Sequence, residues 1–139
     1  MKLSARNQFP GTVTKVTDGA VNGIVTIDVN GTPVTSTISM SAIRELGLEP
    51  GKRAYAVVKA TEVMVGLGKH LTLSARNQFP GKVLSVEKGA VNSIVRIEAL
   101  GGNTISATIS NAAVEQLGLK QGVDALAVIK ATSVMVGID

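Results

Sequence analysis

Hydrophobic and polar residues alternate with a period of two in several short runs, and the runs come in pairs. In "IVTIDV" (Ile24–Val29), Val25, Ile27 and Val29 share one face while Thr26 and Asp28 share the other, and "IVRIEA" (Ile94–Ala99) does the same with Val95, Ile97 and Ala99. The alternation resumes in "PVTSTI" through Val34, Ser36 and Ile38, and in "TISATI" through Ile105, Ala107 and Ile109. The intervening "NGT" and "GGNT" are turn sequences, so each pair of runs predicts a β-hairpin. A short helix follows in each half. Ser39 or Ser41, and Ser110 or Asn111, can cap it; Ile43 with Leu46, and Val114 with Leu117, form its apolar stripe; Gly47 and Gly118 end it. The runs "YAVVKAT" and "LAVIKAT" are apolar on both faces, which predicts a central, buried strand.

The pairing extends to the letters themselves. "SARNQFPG" stands at Ser4–Gly11 and again at Ser74–Gly81, "GAVN" at Gly19–Asn22 and Gly89–Asn92, and "VVKATEVMVG" (Val57–Gly66) returns as "VIKATSVMVG" (Val128–Gly137). The offset of about 70 residues grows by one across "ALGGNT", where a turn belongs. The chain therefore reads as two modules, residues 1–67 and 72–139, joined by a short linker at 68–71. Strands with one short helix before the last long strand, in a unit of this size, predict an all-β fold with short helices: tandem OB-like five-stranded β-barrels.

Composition sharpens this picture. A unit of about 65 residues buries only about 60% of its unfolded surface, so each module needs a neighbour. Hydrophobic residues make up 45% of the chain and charged ones 17%, which predicts apolar surface hidden between subunits. There is no cysteine, which excludes disulfides, thiolate metal sites and Cys nucleophiles. "MKLSARNQFP" lacks the apolar core of a signal peptide and no run is long enough to span a bilayer, so the expectation is a soluble, cytoplasmic protein without a membrane partner. The net charge of +4 suits anionic partners.

The candidate chemistry lies at the ends of the predicted strands. Lys59 and Lys130 close an apolar strand, where an ammonium either snorkels to water or meets an anion. Thr61 and Thr132, two residues on, would place a hydroxyl on the same strand face. Ser4 with Arg6, and Ser74 with Arg76, repeat that spacing on the predicted first strand. If the first and last strands meet, these donors converge into a cradle for a tetrahedral oxyanion, with no acid, base or activated nucleophile. A surface salt bridge or a subunit contact is the competing role for the arginines. Ala60 and Ala131, between the lysines and threonines, are further candidates on the same segment. Ser39 and Ser110 fit helix caps, a role compatible with anion contact at a helix start. "GAVN" fits a turn that sets strand register, and its amides could also hold an anion. His70 falls in the linker.

Taken together, "SARNQFPG", "GAVN" and "KAT" with "VMVG" resemble the molbindin (Mop) family of cytoplasmic molybdate-binding domains, over nearly the whole chain and twice. The resemblance implies an OB-like barrel, a homotrimer built of six modules, and molybdate or tungstate bound as ligand at interfaces between modules, with no cofactor and no catalysis. It assigns the ligand role to Ser4, Arg6, Lys59 and Thr61, and to Ser74, Arg76, Lys130 and Thr132. For the arginines, side chain and backbone amide both stay open. It further implies a second class of site near the threefold axis, for which Val21, Asn22, Val91 and Asn92 are the candidates.

Two other functions fit less well. An OB-type nucleic-acid module stacks bases on aromatic rings, yet aromatics are 2% of this chain and Trp is absent. An anion-sensing regulatory module would need a nucleotide-binding loop or a helix-turn-helix, and the two repeats contain neither.

Overall fold

The computed structural model describes all 139 residues, Met1–Asp139. In the first half β1 (Asn7–Thr17), β2 (Asn22–Val29) and β3 (Thr32–Ser39) lead into α1 (Met40–Leu46), then β4 (Arg53–Val58) and the short β5 (Met64–Gly66). The second half repeats the order with β6 (Asn77–Lys88), β7 (Asn92–Ala99), β8 (Asn103–Ser110), α2 (Asn111–Leu117), β9 (Asp124–Ile129) and β10 (Met135–Gly137). A single 3-10 turn follows β4 at Ala60–Glu62 and β9 at Ala131–Ser133.

The predicted alternation is realised: Val25, Ile27 and Val29 of β2 and Val95, Ile97 and Ala99 of β7 are buried. Asn30 and Gly31, with φ of 50° and 90°, make the two-residue hairpin turn, both in the left-handed region that such turns demand. The matching turn holds one residue more, with Leu100, Gly101 and Gly102 all at positive φ. Leucine is strained there, but its side chain is buried and its carbonyl accepts a hydrogen bond from Asn30 Nδ2 at 3.2 Å. Each helix is capped as read from the sequence. Ser39 and Ser110 accept at Oγ from the amides of Ala42 and Ala113, both at 3.1 Å, and Gly47 and Gly118 close the other end in the left-handed conformation.

The sheets are not confined to their own halves. Their orders are β10-β4-β1-β2-β3 and β5-β9-β6-β7-β8, every pairing antiparallel, so each half gives up its short fifth strand to complete the other's sheet. Residues 64–66 thus belong structurally to the second sheet, and 135–137 to the first. The runs read as the last strands, β4 and β9, are central and buried as their composition demands, but a further strand follows each. Irregularities between Val13 and Lys15 and between Val83 and Ser85 bend β1 and β6 and help curl the sheets. One apolar cluster of 26 buried residues runs from Phe9 to Val134, so the two sheets share a core.

Two buried asparagines tie the join. Asn7 Nδ2 donates to Ser106 O at 2.9 Å while the Ser106 amide donates to Asn7 Oδ1 at 2.8 Å. Asn77 makes the same pair with Thr35, both bonds 2.8 Å. Ser36 Oγ donates to Val134 O, adding a third buried polar link across the join. No buried side-chain nitrogen or oxygen is left without a partner. Replacing Asn7 with Ala would strand both backbone groups of buried Ser106. Asn7→Ala is therefore expected to cost about 2–4 kcal/mol, and Asn77→Ala somewhat less because Thr35 is only half-buried, measured by urea unfolding at fixed protein concentration.

Candidate functional site

β1 and β4 run antiparallel with Asn7 opposite Val58, so the residues just before β1 must lie beside those just after β4. This register gathers Ser4, Ala5 and Arg6 with Lys59, Ala60 and Thr61 around one pocket, whose wall is completed by Leu3 and, from the second half, Thr108 and Met135. In the other module Asn77 pairs with Ile129, and Ser74, Ala75 and Arg76 meet Lys130, Ala131 and Thr132 with Thr37 of the first half. Both pockets therefore sit at the join between the halves. Their linings offer ammonium, guanidinium and hydroxyl donors and no carboxylate or imidazole.

The route to this convergence differs from the one read off the sequence. Ser4 and Arg6 precede β1 rather than lie on it, and the same holds for Ser74 and Arg76 before β6. Lys59 and Lys130 are the residues before the 3-10 turns, and Thr61 and Thr132 lie within those turns, so no strand pleat aligns them. Strand register does that work instead. Nor are the lysines buried: they and Ser4, Thr61, Ser74 and Thr132 are exposed in the single chain, which leaves the pockets open, while Thr37 and Thr108 are half-buried.

A glutamine in each copy of the octet holds the pocket segment in place. Gln8 Nε2 donates to the carbonyls of Leu3 and Ala5 at 3.0 and 2.9 Å, bracketing Ser4. Gln78 Nε2 donates to Leu71 and Ala75, at 3.0 and 3.3 Å, and its Oε1 accepts from the Leu71 amide at 2.8 Å. Seven of the octet's eight residues then have an assignable role. Ser4, Ala5 and Arg6 line the pocket, Asn7 bridges the halves, Gln8 folds the pocket segment back, and Phe9 enters the core. Gly11 passes so close to the Asp28 carbonyl that any Cβ would collide with it.

The remaining candidates form a second locale. Val21 and Asn22 lie in the turn before and at the start of β2, where Asn22 pairs with Ser39 and the Val21 carbonyl accepts from the Met40 amide at 2.8 Å. Val91, Asn92 and Ser110 repeat this arrangement, with Asn111 N donating to Val91 O at 2.9 Å. None of these residues lines the two donor pockets. Val21 and Val91 are 75% and 73% exposed.

Displaced titrations lie elsewhere too. A hydrogen bond from Tyr55 to the Asp139 carboxylate raises the tyrosine pKa, and the Lys82 ammonium at 2.7 Å lowers that of Asp124. No cluster of three or more His, Asp or Glu side chains is placed to hold a metal ion, and no helix is long and apolar enough to cross a membrane. Sequence reasoning missed Thr37 and Thr108, which the other half donates to each pocket, as well as Asn7, Asn77, Gln8 and Gln78. The signal was present: "TIS" recurs at Thr37–Ser39 and Thr108–Ser110, and the four amides fall inside the repeated octet.

The TOBE domain family matches residues 3–65 and again 73–136. A probable molybdenum-pterin-binding protein of Haemophilus influenzae is 56% identical over 69 residues, all of that protein and 50% of this chain. The molybdenum transport protein ModE of Herbaspirillum seropedicae is 39% identical over 99% of this chain, which spans only 52% of that protein's length. In three dimensions, the crystal structure of the cytoplasmic molybdate-binding protein ModG with molybdate bound superposes with a TM-score of 0.96, 42% identity and full coverage of both chains.

If the glutamines position the pocket segments, Gln8→Ala should lower the backbone NMR order parameters of residues 3–6 while the central residues of β1 keep theirs. Gln78→Ala should do the same at 73–76. Unchanged order parameters there would show that the segments hold themselves.

Proposed function

Because the chain belongs to the TOBE-domain family, we propose that it is a molybdate-binding protein of the molbindin type, serving molybdenum storage and homeostasis in the cytoplasm. The observation that carries this reading is the pair of pockets in which Ser4, Arg6, Lys59 and Thr61, and Ser74, Arg76, Lys130 and Thr132, converge. The likeness to molybdate-bound ModG over the full length of both chains supports it.

Molybdate is a tetrahedral dianion whose oxygens only accept hydrogen bonds. A ring of hydroxyl, ammonium and guanidinium donors matches it, and charge-assisted bonds are roughly twice as strong as neutral ones. Thr108 and Thr37 bring a hydroxyl from the opposite half, so the anion is gripped across the join. Nothing is made or broken covalently; the ligand is sequestered and released. Tungstate, alike in charge and size, occupies the same pockets.

The working form is a homo-oligomer, a trimer in this reading. Leu3 and Met135 on the rim of the first pocket, with Val21, Met64, Leu73 and Val91, are large apolar side chains left exposed on the single chain. Neighbouring copies seated on them would cover apolar surface and shield the pockets from water, which strengthens every charged contact inside. Ligand shared between copies would then stabilise the assembly by mass action.

Equilibrium dialysis against molybdate tests the assignment. The unaltered protein is expected to retain molybdate, and the double variant Lys59→Ala/Lys130→Ala to lose most of that capacity while keeping its circular dichroism spectrum. Undiminished capacity in the double variant would refute the role of these pockets. Thr37→Val with Thr108→Val should weaken retention less, since each removes a neutral donor only.

A further inference from the structure

Within the repeat, the residue after each "KAT" differs: Glu62 in the first half, Ser133 in the second. The difference falls beside the pockets. Glu62 Oε1 lies 4.0 Å from Lys59 Nζ, one turn away on the same 3-10 segment. Its other oxygen, Oε2, accepts a hydrogen bond from Ser133 Oγ at 3.1 Å. The carboxylate is thus steadied from the far half in a position facing the lysine of the first pocket. Lys130, whose matching neighbour is Ser133, makes no ion pair.

Resting on the molybdate-binding reading above, we propose that the two pockets are unequal, and that the pocket around Lys130 takes the oxyanion before the pocket around Lys59 because the Glu62 carboxylate lies 4.0 Å from the Lys59 ammonium and opposes an incoming anion. A dianion entering the first pocket must share its ammonium with a fixed negative charge or displace that charge. A dianion entering the second meets an uncommitted ammonium. The remaining donors are equivalent in the two pockets, Ser4 with Ser74, Arg6 with Arg76, Thr61 with Thr132 and Thr108 with Thr37; the first pocket also has Leu3 and Met135 in its wall, but these carry no charge, so the carboxylate is the electrostatic difference. Side-chain exposures of 62% for Lys59 and 38% for Glu62 mean that solvent screens the effect, which sets its scale at severalfold rather than orders of magnitude. Glu62 therefore acts as a positioning residue that grades occupancy: one set of sites fills at low molybdate and the other holds capacity in reserve.

Isothermal titration of the full chain with sodium molybdate tests this. The two donor pockets of the unaltered protein should titrate as two classes of site in equal number, distinct from any binding near the threefold axis that neither lysine substitution removes. Lys130→Ala should abolish the tighter class and Lys59→Ala the weaker. Glu62→Gln should strengthen the weaker class by roughly three- to fivefold and leave the tighter one in place. Glu62→Ser, which copies the residue at the equivalent position, should bring the classes together even if the glutamine variant folds poorly; a thermal melt of each variant checks its fold. A single class in the unaltered protein, loss of the tighter class on Lys59→Ala, or a weaker class unmoved by both Glu62 substitutions would overturn the inequality while leaving molybdate binding intact. Absence of any binding by the unaltered, folded protein would overturn the functional reading itself, and the inequality with it.

Discussion

A primary carboxamide presents an N–H donor and a carbonyl acceptor side by side, so it can replace a step of a β ladder. Asn7 and Asn77 use theirs in that way, each pairing with both backbone groups of a residue on a strand of the opposite half. Everything functional hangs on this reciprocal stitch. It fixes the starts of β1 and β6 against β8 and β3, and those starts are where the pocket segments begin. The same stitch brings Thr108 and Thr37 to pockets otherwise built from the other half. A shift of one residue in β3 or β8 would turn Thr37 or Thr108 away from its pocket, since successive side chains on a strand face opposite ways.

Much of the architecture was legible because it rests on local rules. Alternation located β2, β3, β7 and β8, capping serines and closing glycines located both helices, and the one-residue growth of the repeat located the longer hairpin turn. The exchange of β5 and β10 was not legible. "MVG" is equally good on either sheet, and the choice is made by which edge of β4 or β9 lies within reach, a property of the assembled halves.

The pocket was legible for a related but different reason. Residue types and repetition singled out serine, arginine, lysine and threonine, and these do come together. The supposed cause, a common strand face, was wrong, because Ser4 and Arg6 stop short of β1 and Thr61 lies in a 3-10 turn. Antiparallel register brings the segments together whatever their own conformation. Asn7 and Gln8 escaped notice because amides read alone suggest neither charge nor catalysis; their partners are backbone atoms, which leave no trace in a sequence.

The traded strands also bear on how the molecule comes into being. β10, which completes the first sheet, is synthesised only after all four long strands of the second half, so a growing chain carries β4 with one edge bare until residues 135–137 have been made. Such an edge invites pairing with other nascent chains, and closing it requires contacts far apart along the polypeptide, which slows the final step. The geometry that builds a pocket from both halves thus leaves the nascent first sheet open until β10 has been made.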